Sequence, residues 1–352
     1  MMKRINFDVK IRMKMRPIAV LFVSTGLLVM AGCRSNRYDI KPSGAKAVVS
    51  IDRLEEDLFG SDPQDIIPSV DRLAEEYGEF LRLFGYVINI GEPGNDSWNE
   101  GLLSFATDRQ NREVYLEVKK KFSSLESLEK SLSGAWTMYN HYFPGAGVPR
   151  IYSFVSGFNN SMVVGDSIMG IGLDRYLGEG CSYYPMLGIY NYQVKKMVPE
   201  KIPSDCIYAW AASTWLLNEE QEGGNTLLAS MMHEGKLLYF TRCMLPFEPD
   251  SLLFGFTASQ VEFCSNNEAQ MWDYLVEYDL LFNTDPFTIR KFTGEAPFTT
   301  AFTNESPGRA ATWLAFRIIE KYMERNQQVT LADLMADENY RQILEKARYS
   351  PR

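Results

Sequence analysis

The sequence predicts a mainly helical α/β fold of the α+β type, with one small sheet, and three observations support this. Helix starts occur in both halves of the chain, where a capping residue precedes apolar residues at helical spacing, as at Asp62, Ser123 and Thr257. The segment 150–173 alternates apolar and polar residues around glycines and predicts a β-hairpin. The segment 225–244 is apolar on a wide face, so we expect a central helix beside that hairpin.

Residues 1–32 are predicted to be a lipoprotein signal peptide. Six basic residues precede an apolar stretch, 17–30, that is too short to span a bilayer comfortably. Small residues then stand directly before Cys33, as in the bacterial lipobox, where the chain is cut and the cysteine is acylated. Cys33 is therefore the predicted lipid anchor, and acyl chains would hold the protein to the membrane. An ordinary cleaved signal and an uncleaved anchor are the alternatives.

The charge balance is acidic. The chain carries 36 Lys and Arg against 45 Asp and Glu, a net charge of −9. Removal of the leader, whose net charge is +5, takes the mature protein to −14. An acidic body disfavours nucleic acid and anionic lipid as partners, because both require a basic patch.

The segment 33–46 is polar and turn-rich, and we expect it to be a tether between the anchor and the body. Residues 47–352 follow as one globular domain, whose length would allow two lobes. The mature chain has four cysteines after the anchor. They would either form disulfides or be buried free thiols, and the sequence does not decide between the two. These cysteines are Cys181, Cys206, Cys243 and Cys264.

The first half of the body is predicted to be helical after a short strand over 48–51. Asp62, followed by proline, caps a helix that continues through Phe80. Capping boxes begin at Thr107 and at Ser123, and the second is predicted to open a long helix.

The middle of the chain is predicted to be the β region. The runs 151–155 and 162–164 are rich in β-forming residues, and 168–173 follows after a turn. Glycines thin one face of 168–173, which would allow a backbone to pass close to this strand. Asp174 stands at its end.

Five helices are predicted in the second half. An apolar helix covers 207–217, and Asn225 caps the central helix. Thr257 opens a helix with a capping box. Ser306 caps a helix whose first position is proline, and Thr330 starts a short final helix.

The pair His233-Glu234 in the central helix is similar to the start of the zinc-protease motif H-E-x-x-H. In that motif a second histidine, one turn later, is also a zinc ligand, and the glutamate activates water. Here Leu237 occupies that position and cannot bind zinc. His141 is the other histidine of the chain, and its sequence position gives no reason to place it nearby.

Both residues of the pair also have structural interpretations. His233 would then be a histidine of the core or of a groove wall whose ring nitrogens find hydrogen-bond partners. Glu234 would be a buried carboxylate paired with a base such as Lys236 or Arg309, or else a ligand contact. The segment from Glu305 to Arg309 would suit an anion or a peptide terminus.

One ordered set of segments runs through the body: Ile151–Phe158, Leu173–Gly178, Glu234–Phe240, Asp285–Pro286 and Asn304–Arg309. In this order and spacing they resemble the gliding motility lipoprotein family GldB, over most of the mature chain from about Ile51 and together with the lipoprotein signal. The family resemblance implies an outer-membrane-associated lipoprotein, required for gliding and linked with the machinery that secretes surface adhesins. It also implies a zinc-metallopeptidase-like architecture of the gluzincin type, with a small sheet packed beside a central helix. Peptidases of this architecture hold substrate along an edge strand beside the active helix, and the segment 168–173 is the candidate for that edge.

We therefore expect a membrane-anchored, non-catalytic binding or assembly component of the gliding or secretion machinery, without cofactor or metal. It would lie at the outer membrane and face the periplasm, with envelope proteins as partners and no nucleic acid. A zinc peptidase with an unusual ligand set and a lipoprotein for a small ligand are the alternatives. The candidate groove residues are His233, Glu234, Asp174, Glu305 and Arg309.

Overall fold

Helices form most of the part of the chain that the structure describes, a computed structural model covering residues 36–94 and 96–352. The predicted signal peptide and Cys33 lie outside these residues. The strands are β1 (Ile51–Arg53), β2 (Arg150–Phe154), β3 (Met162–Val164) and β4 (Ile168–Gly172). The helices are α1 (Leu54–Phe59), α2 (Pro63–Ile66), α3 (Val70–Tyr77), α4 (Glu79–Val87), α5 (Asp96–Thr107), α6 (Arg109–Lys121), α7 (Glu126–Tyr142), α8 (Tyr183–Met186), α9 (Asn191–Val194), α10 (Ile202–Thr214), α11 (Leu227–Met244), α12 (Asp250–Phe254), α13 (Ala258–Asn266), α14 (Glu268–Glu277), α15 (Pro286–Thr293), α16 (Ala310–Arg325), α17 (Leu331–Ala336) and α18 (Tyr340–Ala347). The mainly helical fold with one small sheet is confirmed.

The sheet has the strand order β1-β2-β4-β3. Strands β3 and β4 pair antiparallel and form the predicted hairpin, whereas β1 pairs parallel with β2, and β2 with β4. The prediction that 168–173 is an edge strand is wrong, because β4 has a partner on each side. Its glycine at position 170 serves packing instead, since a Cβ there would lie 2.4 Å from the ring of Phe80 in α4.

Several predicted helix starts in the first half are displaced. The predicted helix after Asp62 is divided into α2, α3 and α4, and Gly78 separates the last two with a φ of 49°. Thr107 ends α5, and Asp108 caps α6 by accepting a hydrogen bond from the Asn111 N–H at 2.9 Å. Ser123 does not cap α7, whose first residue is Glu126. The predicted strand 48–51 begins later, as β1.

Two predicted caps in the second half are confirmed and two are wrong. The capping boxes at Thr257 and Thr330 are both present. Thr226, and not Asn225, caps α11, because its hydroxyl accepts the Ala229 N–H at 3.2 Å. Ser306 does not cap α16, since its buried hydroxyl donates to the Thr303 carbonyl at 2.6 Å.

Two further boundaries in this half differ from the predictions. The apolar helix begins earlier than expected, as α10. The helix after Thr330 is not the final one, because α18 follows it and packs against α16.

The helix α11 lies at the centre of the unit formed by Arg37–Arg352, and most of its residues are buried. It packs against α16, α10, α15 and α7. A Cβ on Gly235 would lie 2.7 Å from the backbone carbonyl carbon of Ala315, so this glycine permits close contact between α11 and α16. The prediction that the sheet lies beside this helix needs a correction, because α10 packs against both the hairpin and α11.

The segment 37–51, here called the strap, runs along α7 and reaches α16. Its first part coincides with the predicted tether, yet it contacts the body from Arg37 onward. Tyr38 donates to Glu320 at 2.5 Å, and the hydroxyl of Ser43 lies 2.8 Å from Nδ1 of His141. Alternate N–H groups of the strap donate to side chains four residues apart on α7: Ala47 to Thr137 Oγ1 (3.0 Å), Val49 to Ser133 Oγ (2.9 Å) and Ile51 to Glu129 Oε1 (2.9 Å).

The four cysteines within the described residues are free thiols, and all but Cys181 are buried. Burial raises the pKa of the Cys243 thiol to about 12, so it is protonated at neutral pH. Among the described helices, none combines the length and the apolar character that crossing a membrane requires.

Candidate functional site

A groove with a volume of about 1,250 Å³ opens on the surface formed by the described residues. Its walls include α13 and the loop from Glu295 to Glu305, and the rings of Tyr190 and Tyr192 stack at its rim with centroids 5.8 Å apart. Amides, hydroxyls and carboxylates line about half of the groove, beside apolar residues such as Phe256 and Phe298. The groove can therefore form many hydrogen bonds with a ligand that lies along it.

An inner pocket of about 130 Å³ adjoins the groove and shares Lys196, Lys201 and Glu295 with it. Charged side chains of both signs hold this pocket together. Lys196 donates to Glu295 at 2.5 Å, and Lys201 donates to Asp205 at 2.5 Å. Burial lowers the pKa of Lys196, although Glu295 opposes this shift.

Arg309 enters the inner pocket from the N-cap position of α16. Its backbone is left-handed, with a φ of 59°, which is uncommon for a residue other than glycine and concentrates at functional sites. Within the described residues its guanidinium makes one hydrogen bond, to Glu295 at 3.1 Å. Burial would lower the pKa of Arg309, but Glu295 and Glu234 raise it, so the guanidinium stays charged.

Glu234 projects from α11 towards the same pocket. The Tyr208 hydroxyl of α10 donates to its carboxylate at 2.6 Å, and burial together with Glu234 raises the pKa of that phenol. Of the two bases considered from the sequence, Arg309 lies close enough to interact with Glu234 electrostatically. Lys236 instead donates to the Asp337 carbonyl at 2.8 Å.

His233 does not share this environment. Neighbouring positions on a helix differ by about 100°, so His233 shares a face with Lys236 and not with Glu234. Burial, together with Lys236, lowers the pKa of His233 to about 4, and the ring is neutral at physiological pH. Leu237, at the second ligand position of the motif, is 1% exposed and lies in the core.

The other histidine, His141, contacts the strap through Ser43. The side chains that a metal site would need are not assembled in the described residues. No three His, Cys, Asp or Glu side chains within 36–94 and 96–352 cluster closely enough to hold a metal ion.

Asp174 does not line the groove, and that prediction is corrected. It is fully buried after β4, where it accepts hydrogen bonds from the N–H groups of Ser156 at 3.1 Å and Phe158 at 2.6 Å. Burial raises the pKa of Asp174 to about 6 against the effect of these bonds. Asp174 therefore organises the loop after β2, while Glu305 is exposed at the rim of the groove.

The structure thus brings together Glu234 and Arg309, which the sequence indicates as candidates, with partners that it does not indicate. Lys201 and Asp205 lie four positions apart, a spacing that predicts an ion pair on one face of a helix, so the sequence does carry a signal for this pair. Tyr208 and Glu295 carry no such signal, because their positions in the sequence become adjacent only through the packing of α10, α11 and α16.

The family model described as gliding motility protein GldB matches residues 35–351. The match covers nearly the whole chain. Comparison with curated proteins and with solved structures found no match.

Proposed function

The chain belongs to the gliding motility protein GldB family, and we propose that it serves motility as a lipid-anchored envelope protein that binds a partner without cleaving it. The anchor is Cys33, at the end of the apolar leader. The proposed location is the outer membrane, with the body facing the periplasm.

The proposal includes a peptidase-related architecture in which α11 corresponds to the helix of an active site. Leu237 supports a role without zinc chemistry, because it is packed in the core where the motif requires a ligand. The close contact between Gly235 and Ala315 fixes the rotation of α11, so another side chain cannot turn into that position.

The groove is the observation that carries the binding role. Its volume and its hydrogen-bonding groups suit an extended polypeptide segment of an envelope protein. Three exposed glutamates line the groove: Glu179, Glu262 and Glu305. Among the basic residues that line it, Lys195 is exposed, whereas Lys196 and Lys201 are at least partly buried. This balance favours a segment that carries Lys or Arg, because opposite charges steer and orient an encounter.

A small-molecule ligand is less well supported. The inner pocket has a volume of about 130 Å³, whereas small-molecule sites usually enclose roughly 300–1,000 Å³. Its charges are also paired with one another, by Lys196 with Glu295 and by Lys201 with Asp205.

Photo-crosslinking in a gliding host tests the proposal. A photoreactive residue at Glu262, in the groove, should capture an envelope protein, and one at Gln64, exposed on α2, should not. The triple variant Glu179→Lys, Glu262→Lys, Glu305→Lys should reduce gliding, because it reverses the charge of the groove.

A matched control reverses three exposed glutamates that do not line the groove. The variant Glu75→Lys, Glu100→Lys, Glu117→Lys has the same net charge and should glide normally. Normal gliding by the groove variant, or equal capture from α2, would refute binding in the groove.

A further inference from the structure

A second cavity, of about 520 Å³, lies between the start of α14, the C-terminal half of α16 and the residues that follow α18. We call it the basic pocket. Its surface is formed largely by polar and charged side chains. The basic residues that line it are Arg317, Lys321, Arg325, Arg348 and Arg352.

Three glutamates also line the basic pocket, and each already has partners. Glu320 accepts hydrogen bonds from Arg37, Arg317 and Tyr38. Glu324 is paired with Arg37 and Lys321, and the Tyr349 hydroxyl donates to Glu268 at 2.5 Å.

The remaining arginines of the basic pocket are not neutralised. Arg325, Arg348 and Arg352 are exposed and form no ion pair within the described residues. With Arg37 included, six bases meet three acids here, although the whole chain has a net charge of −9. The acidic composition therefore hides a local patch of positive charge.

The backbone at Arg348 supports a role for its charge. This residue is the C-cap of α18 and has a φ of 46°, a left-handed conformation for which glycine is the usual choice. An arginine in this conformation strains the backbone. A requirement for a guanidinium in the pocket accounts for an arginine at this position.

The strap carries a further basic residue to the same place. Arg37 bonds to Glu320 and Glu324 at the edge of the basic pocket. Cys33 precedes Arg37 by four residues, and four residues of extended chain span at most about 14 Å. The length of the chain therefore allows a lipid anchor on Cys33 to lie no farther than that from Arg37.

We propose that the basic pocket is a membrane-contact site that binds phosphate groups of the phospholipids around the anchor and so fixes the orientation of the body. This proposal rests on the acylation of Cys33 proposed above. Guanidinium groups suit phosphate because they offer several donors in one plane. Charges near a membrane surface act over about 8–10 Å at physiological salt, a separation that the four-residue reach from Cys33 to Arg37 allows.

The test uses the mature, acylated protein on vesicles of phosphatidylcholine with and without phosphatidylglycerol, after mass spectrometry of the acylated N-terminus. Hydrogen–deuterium exchange is then measured. Residues 317–325 and 340–352 should exchange several-fold more slowly when phosphatidylglycerol is present, while α6 should not change. Added salt should reduce the difference.

Two variants with equal loss of charge make the test specific. Arg325→Gln, Arg348→Gly, Arg352→Gln should abolish the protection, and the glycine relieves the left-handed backbone, so the fold is retained. Arg72→Gln, Arg82→Gln, Arg109→Gln, on α3, α4 and α6, should retain the protection.

If the acylated protein shows the same amide exchange on vesicles with and without phosphatidylglycerol, the membrane-contact site is refuted, whereas the lipid anchor is not. Equal loss of protection in both variants would also refute the membrane-contact site. Protection by inorganic phosphate alone, equal to that on vesicles, would assign the pocket to a free anion and contradict the proposal. Absence of acyl chains would overturn the anchor and this proposal together.

Discussion

Replacement of Gly235 by alanine tests the contact that places Glu234 beside Arg309. The added Cβ would lie 2.7 Å from the carbonyl carbon and 2.8 Å from the Cβ of Ala315, and 2.9 Å from the Phe316 nitrogen. Two of these atoms belong to the backbone, so α16 has to move. Overpacking of this kind costs about 1–3 kcal/mol. We take the upper value, about 3 kcal/mol, because a backbone cannot rotate away as a side chain can.

The same substitution also gains about 1 kcal/mol, because alanine favours the helix over glycine. We therefore expect Gly235→Ala to lower the free energy of unfolding by about 2 kcal/mol. Gly134→Ala is the matched control, since Gly134 lies inside α7, is exposed, and has room for a Cβ with no neighbouring atom within 4 Å. It should raise the free energy of unfolding by about 1 kcal/mol.

Denaturant and thermal unfolding measure both changes. The two variants should differ by about 3 kcal/mol, or about 6 °C in Tm for a protein of this size. Gly235→Ala with a stability equal to or above that of the unmodified protein would refute close packing of α11 on α16.

Three further predictions concern other parts of the structure. His233 has a pKa of about 4 when folded, below the ordinary value of 6.5, so the unfolded chain binds more protons between these pH values and stability falls as pH decreases through them. His233→Gln should make the free energy of unfolding less dependent on pH, with a change in slope of less than about 1 kcal/mol per pH unit. Denaturant unfolding at several pH values measures this slope. Asp174→Ala should cost about 3 kcal/mol in the same assay, because it leaves the buried N–H groups of Ser156 and Phe158 without their acceptor, and an unchanged midpoint would contradict this. Arg37→Ala should speed amide exchange in the strap several-fold, and unchanged exchange there would show that the ion pairs to α16 do not hold it.

Local patterns predicted the parts of the fold that depend on neighbours in sequence. The hairpin of β3 and β4 and the capping boxes at Thr257 and Thr330 each complete their hydrogen bonds within a few residues. The parallel pairing of β4 with β2 depends on the path of the chain between them, so the sequence could not show that β4 lies inside the sheet.

The strap and the charged sites were missed for a related reason. The strap is polar and turn-rich, so its composition favours a tether, and its hydrogen bonds to α7 come from backbone N–H groups that composition does not report. The basic pocket joins residues from α16 with those after α18. A net charge averaged over the chain has the opposite sign, so it could not reveal this patch.

The central claim is that the protein acts by binding and not by zinc-dependent cleavage. Glu234→Gln tests it most directly, because the amide retains an acceptor for Tyr208 but cannot act as a general base. A gliding host that carries this variant in place of its own gene should move at the normal rate. The purified, chelator-washed protein should contain no stoichiometric zinc. One equivalent of tightly held zinc, together with loss of gliding in Glu234→Gln, would contradict the account.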